Sequence, residues 1–139
     1  MRYIDTSVLV AYLTRESGST AAENLMRSAG SPIAVSSWTE VEFLSALGIK
    51  IRTKQLSPVM ADSIVKMYKN TVFPLLQYVP VTDADHREAC VLLTGWRSAL
   101  RAGDSLHLAI AKIWGAEIYT FDRLMATIGS TIGLNVTLI

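Results

Sequence analysis

Short apolar runs with β-branched residues alternate along this chain with longer segments of helical periodicity, and that alternation restricts its fold more than any other feature. The runs Arg2 to Asp5, Ile33 to Ser36, Tyr78 to Val81, Ile118 to Phe121 and Val136 to Ile139 have the length and bounding turn chemistry of buried strands. Between them, Ser7 to Thr14, Thr20 to Ser28, Trp38 to Arg52, Pro58 to Tyr68, Asp83 to Ala99 and Ser105 to Trp114 read as helices. Alternating strands and helices signal βαβ units, so the expected class is α/β, with a central, mostly parallel sheet flanked by helices. The Gly-Ser-Pro at 30 to 32 and the segment Val72 to Gln77 read as ordinary connections.

The 139 residues are expected to form one domain over 1–139, and a hydrophobic content of 50% is enough to fill its core. With a net charge of +1, any nucleic-acid footprint must be local rather than a property of the whole surface. Cys90 is the single cysteine, which excludes an internal disulfide and a cysteine-built zinc site and fits a reducing compartment. It reads as a small buried side chain on a helix. The apolar stretch Val8 to Leu13 is too short for a membrane span or a signal core, so a soluble cytoplasmic protein is expected.

Chemistry concentrates in four acidic motifs, each set where a strand should meet a helix: Asp5-Thr6-Ser7, Thr39-Glu40-Val41-Glu42, Gly103-Asp104-Ser105 and Thr120-Phe121-Asp122. Ligands of open parallel sheets bind beyond the carboxyl ends of the strands, and Asp5 and Asp122 each close one. Two unit charges about 4 Å apart interact at roughly 4 kcal/mol near a protein surface. Converging carboxylates are therefore tolerable with a divalent cation between them. Oxygen ligands suit Mg²⁺ or Mn²⁺, and phosphodiester hydrolysis is the chemistry such a centre serves.

Each motif also has a structural reading. Asp5 or Ser7 can cap the first helix, Asp104 a later one, and Asp122 can begin a turn. Ser37 with Glu40, or Thr39 with Glu42, can form a capping box; amphipathicity does not choose which glutamate is left over. Asp83-Ala84-Asp85-His86 after Thr82 fits the acid-rich first turn of a helix. His107, three residues beyond Asp104, reads first as a packing or hydrogen-bonding residue that can also reach the site. Lys50, Arg52 and Lys54 form a basic run suited to a helix end, whereas Arg97 and Arg101, nearer the proposed site, are the better substrate-binding candidates. Trp38, Trp96 and Trp114 read as core or interface residues.

Taken together, Asp-Thr-Ser at 5 to 7, Ser-x-x-Thr-x-x-Glu at 36, 39 and 42, Asp-Ser-Leu-His-Leu-Ala at 104 to 109 and Thr-x-Asp at 120 to 122 resemble a PIN domain, and more narrowly the VapC-type toxins of toxin–antitoxin pairs. The resemblance spans nearly the whole chain and implies a PIN-like three-layer fold. It implies Asp5, Glu42, Asp104 and Asp122 as the catalytic, metal-binding set, favours Glu42 over Glu40, and gives Ser7 and Thr120 supporting roles. It further implies an Mg²⁺- or Mn²⁺-dependent endoribonuclease in which water attacks, leaving a 5′-phosphate and a 3′-hydroxyl. The implied partners are an RNA substrate, a cognate antitoxin and a second copy of the chain, docked through amphipathic faces such as Val59, Ile64, Met67 and Tyr68. Two rivals stand beside this: a non-catalytic PIN-like binding module, whose mark would be a damaged acidic set, and an aspartyl-phosphate enzyme, for which the Asp-x-Asp at position 5 is missing.

Overall fold

Tyr3 and Ile4, consecutive in the first strand, point to opposite faces of the sheet, and each enters its own hydrophobic core. The computed structural model describes residues 1–139 apart from Gly95, Arg97 and Ser98. In chain order, the strands are β1 (Arg2–Ile4), β2 (Ile33–Ser36), β3 (Gln77–Val79), β4 (Glu117–Thr120) and β5 (Val136–Leu138). The helices are α1 (Thr6–Leu13), α2 (Ser19–Arg27), α3 (Ser37–Arg52), α4 (Pro58–Met67), α5 (Asp83–Leu93), α6 (Ala102–Trp114) and α7 (Arg123–Thr131). All strand pairs are parallel, in the order β3-β2-β1-β4-β5.

The alternation along the strands builds three layers. Tyr3, Ala34, Val79 and Ile118 pack with residues of α5, α6 and α7 on one face. On the other, Ile4, Ile33 and Val35 pack with α1, α2, α3 and Tyr68. With β1 at the centre and β4 beside it, Ile4 in register with Tyr119, the residues that follow these strands emerge side by side at one carboxyl edge. Gly115, at φ 59° in the left-handed region, ends α6 and turns the chain into β4. No described helix is long and apolar enough to cross a membrane.

Several boundaries differ from expectation for identifiable reasons. β3 stops at Val79 rather than Val81, because Pro80 has no N–H to continue the ladder. α5 ends at Leu93 rather than Ala99, before the weak helix formers Thr94 and Gly95. The connection after α4 is not irregular: Tyr68–Val72 forms a π-helical turn and Phe73–Leu75 a 3₁₀ turn. Tyr68, expected on an exposed docking face, is buried with its ring 5.2 Å from Phe43 and 5.7 Å from Phe73. Cys90, expected to be buried, is exposed on α5. α7 was not foreseen at all. Its threonines, serine and glycine form helix poorly, and packing holds it: Met125, Ala126 and Gly129 are buried. A Cβ on Gly129 would fall 2.5 Å from Val136 and 2.9 Å from Leu108, so glycine permits the close approach of α7 to β5 and α6.

Candidate functional site

The backbone N–H of Asp5 donates to the carbonyl of Tyr119 as β1 ends, which fixes the carboxylate beside β4. Its Oδ1 accepts from the Ser7 hydroxyl at 2.6 Å and from Val8 N at 3.1 Å, so Asp5 is the N-cap of α1. Its Oδ2 accepts from the Thr120 hydroxyl at 2.7 Å. Thr120 Oγ1 in turn accepts from Asp122 N at 2.8 Å, and Ser7 Oγ accepts from Phe121 N at 3.0 Å. Asp122 caps α7 through Met125 N, 2.9 Å from its Oδ1, rather than merely starting a turn. Burial pushes the Asp5 carboxyl above the usual carboxylate range, against the opposing pull of His107 and of its own hydrogen bonds.

Glu42 arrives from the other side, on α3. That helix is capped one residue before the first of the two expected boxes and three before the second: Ser36 is the cap and Thr39 its reciprocal partner, with Thr39 N and Ser36 N donating to each other's side chains at 3.1 and 3.2 Å. Neither glutamate is used for capping. The Glu40 charge helps raise the Tyr68 phenol, while Glu42 Oε2 accepts from the Thr6 hydroxyl and lies 2.7 Å from His107 Nε2. Burial alone would raise Glu42. His107, the Thr6 hydroxyl and Trp38 outweigh it and leave the carboxyl below its usual range.

Asp104 occupies the third position of α6, where it accepts from Arg101 N at 3.3 Å. The Arg101 guanidinium stands between two acids, 3.5 Å from Asp104 Oδ2 and 3.9 Å from Asp122 Oδ2. Gly103 brings the start of α6 against Glu42, since a Cβ there would lie 2.5 Å from Oε1. The contacts close into a ring: Asp5, Thr120, Asp122, Arg101, Asp104, Gly103, Glu42, and Thr6 back to its neighbour Asp5.

The structure thus gathers Asp5, Ser7, Glu42, Asp104, Thr120, Asp122 and Arg101 at one edge. Arg97 lies outside the described residues. Lys50, from the basic run at the end of α3, pairs with Glu16, and the Thr82–His86 segment is a cap in which Asp85 Oδ2 accepts from Thr82 N at 2.7 Å. His107 takes the hydrogen-bonding role read for it: it is 2% exposed and bridges Glu42 to the hydroxyl of Tyr3. Its place one turn beyond Asp104 was the available signal; Tyr3 gave none, being an ordinary inward-facing strand residue.

The donor set is made of oxygens, which fits a hard divalent cation. As placed, no three acidic, histidine or cysteine side chains among the described residues stand close enough to hold an ion. The Arg101 guanidinium and the His107 ring are the groups that the acids meet instead. Beside Thr6 and Ser7 opens a cleft of about 700 Å³, walled by Val10, Ala21, Ala46, Phe121 and Ile139.

A wholly parallel sheet with an acidic ring at its carboxyl edge defines a three-layer α/β protein with a potential cation centre. PIN domains match residues 2–129, and the chain belongs to that family. No curated protein matches it in sequence. Among solved structures, it is similar to FitAcB from Neisseria gonorrhoeae, at 15% identity and TM-score 0.77 over 98% of this chain and 96% of that one. It is also similar to VapC20 of Mycobacterium tuberculosis, described as a sarcin-ricin loop cleaving toxin, at 18% identity and TM-score 0.73 over 96% of each chain. VapBC2 from Rickettsia felis, bound to a promoter DNA fragment, matches at 15% identity and TM-score 0.71 over 99% of this chain and 98% of that one.

Proposed function

We propose that this protein is a divalent-metal-dependent endoribonuclease and the toxin of a toxin–antitoxin pair. The observation that carries the reading is the ring itself. Residues separated by most of the chain bring four carboxylates to one sheet edge, and among the described residues the balancing groups are a single arginine and a histidine. Asp5, Glu42, Asp104 and Asp122 are the residues that would hold Mg²⁺ or Mn²⁺. Bound there, a divalent cation supplies positive charge to the phosphoryl oxygens and acidifies water.

The chain's own groups do the rest. Ser7 and Thr120 orient Asp5 by donating one hydroxyl to each of its oxygens. Arg101, 78% exposed, can leave the acids for an RNA phosphate, and Arg97 is proposed to assist it. The cleft beside Ser7 gives the strand a place to lie. The toxin assignment is supported by the similar structures, which include a sarcin-ricin loop cleaving toxin and a toxin–antitoxin complex from Klebsiella pneumoniae. An antitoxin and a second copy of this chain are the proposed protein partners, and Val59 and Met67, 75% and 44% exposed, offer them apolar contact on α4.

The test is incubation of purified protein with total RNA in Mg²⁺, in Mn²⁺ and in EDTA, beside Asp5→Asn. Discrete fragments that require both metal and Asp5 are expected. Cleavage that persists in EDTA or in the variant would sink the assignment, while RNA or partner binding without cleavage would favour the binding-module reading.

A further inference from the structure

We propose that His107 and Tyr3 are positioning residues that clamp one oxygen of Glu42, Oε2, and thereby reserve the other, Oε1, for the cation. The inference rests on the reading of Glu42 as a ligand given above. A carboxylate oxygen offers two lone pairs, and Oε2 has two donors: the Thr6 hydroxyl and His107 Nε2, 2.7 Å away. Oε1 makes no hydrogen bond of ordinary geometry, the Trp38 side chain adding a weaker pull on the same carboxylate, and it faces Gly103, at the start of the helix that carries Asp104.

The clamp is directed from the core outward. A ring that donates from Nε2 to a carboxylate accepts at Nδ1 when neutral, and Nδ1 lies 2.7 Å from the Tyr3 hydroxyl. Tyr3 therefore donates to the imidazole, and its oxygen receives Ser36 Oγ at 2.9 Å and Thr39 Oγ1 at 3.2 Å. Those two hydroxyls each accept a backbone N–H in the capping box of α3 and lie 3.1 Å from each other, which leaves the proton of at least one to turn toward Tyr3. Every member of this chain from Ser36 to His107 is buried. The helix start that carries Glu42 on its next turns is thus wired, through Tyr3 and His107, to the carboxylate it delivers. Outer hydrogen-bond partners of metal-binding groups typically govern affinity in this way.

The test measures Mn²⁺ affinity by the EPR signal of the free ion, with folding of each variant checked by thermal unfolding. His107→Leu is expected to weaken Mn²⁺ binding about 10- to 100-fold. His107→Gln, whose amide can donate from nearly the same place, should keep most of the affinity, and Tyr3→Phe should fall between the two. In a Glu42→Gln background, His107→Leu should cost nothing further. In metal-free wild type, ¹⁵N NMR should find the neutral His107 ring protonated at Nε2. Unchanged Mn²⁺ affinity in Tyr3→Phe, fully additive losses with Glu42→Gln, or protonation at Nδ1 would each overturn the clamp. If His107→Leu does not fold, Tyr3→Phe, which keeps the core volume, decides. Wild type that binds no Mn²⁺ at all overturns the metal reading itself, a result distinct from wild type that binds while the clamp variants match it.

Discussion

The two arcs of the acidic ring are built differently. On one, Asp5, Ser7, Thr120 and Asp122 sit at the ends of adjacent parallel strands, where side-chain hydroxyls and backbone N–H groups bind one another at 2.6 to 3.0 Å. On the other, Glu42 and Asp104 ride on α3 and α6, and the Arg101 contacts that close the arc are longer, at 3.5 and 3.9 Å, and solvent-exposed. The sheet fixes the first arc before any ligand arrives. The second depends on how two helices dock and on which cation the acids meet. Preorganisation at Asp5 and Glu42 and adjustability at the Arg101 contacts are what a site needs if it must exchange Arg101 for a metal and a phosphate.

The strand arc should be the less forgiving. Asp5→Ala is expected to abolish RNA cleavage and also to destabilise the protein by about 1 kcal/mol, because it removes the α1 cap. Asp5→Asn should abolish cleavage too, yet be more stable than wild type in EDTA, since asparagine caps well and buries no charge. The pH dependence carries the sign. A carboxyl raised in the folded state binds its proton more tightly there than in the unfolded chain, so wild-type stability falls as pH rises through the window above the ordinary value of about 3.9. The advantage of Asp5→Asn in chemical denaturation should be largest at neutral pH and shrink as pH falls through that window. A constant difference would rule out the charge as its cause.

On the helix arc, Gly103→Ala tests geometry without removing any functional group. The new Cβ would meet Glu42 Oε1 at 2.5 Å, so cleavage should drop about 10-fold, as for loss of an outer partner, while melting is unchanged or improved by the better helix former. Asp122→Ala should cost about 1 kcal/mol through its cap, measured by denaturant unfolding, and Asp122→Asn much less. The smallest stability effect belongs to Arg101→Ala, within about 0.5 kcal/mol for so exposed a pair. Its Mn²⁺ affinity should rise, because a competing cation has gone, while the KM for RNA should worsen. Weaker Mn²⁺ binding would mean that Arg101 organises the acids rather than competing for them.

The two arcs also differed in how well the sequence foretold them. Asp5 and Thr120-x-Asp122 stood at the ends of recognisable β-branched runs, and a parallel sheet leaves such residues one edge to share. Glu42 was separable from Glu40 by family spacing alone, since the helix pattern is equally amphipathic for both and the true cap, Ser36, lay one residue before the start considered. α7 escaped because its stability comes from packing around Gly129 rather than from propensity. Tyr3 and His107 look like core residues in one dimension, and only the juxtaposition of β1, α3 and α6 reveals the hydrogen bonds that link them.

The central position of β1 imposes an order of events on biosynthesis. The strand made first is flanked in the finished sheet by β2 and by β4, and the bond from Thr120 to Asp5 joins residues 115 apart. At 5 to 20 residues per second, a ribosome takes on the order of 10 seconds to cover that interval. Until β4 has emerged, Asp5 has neither its neighbour strand nor the hydroxyl that holds its second oxygen. Over that interval the nascent chain is without a completed site.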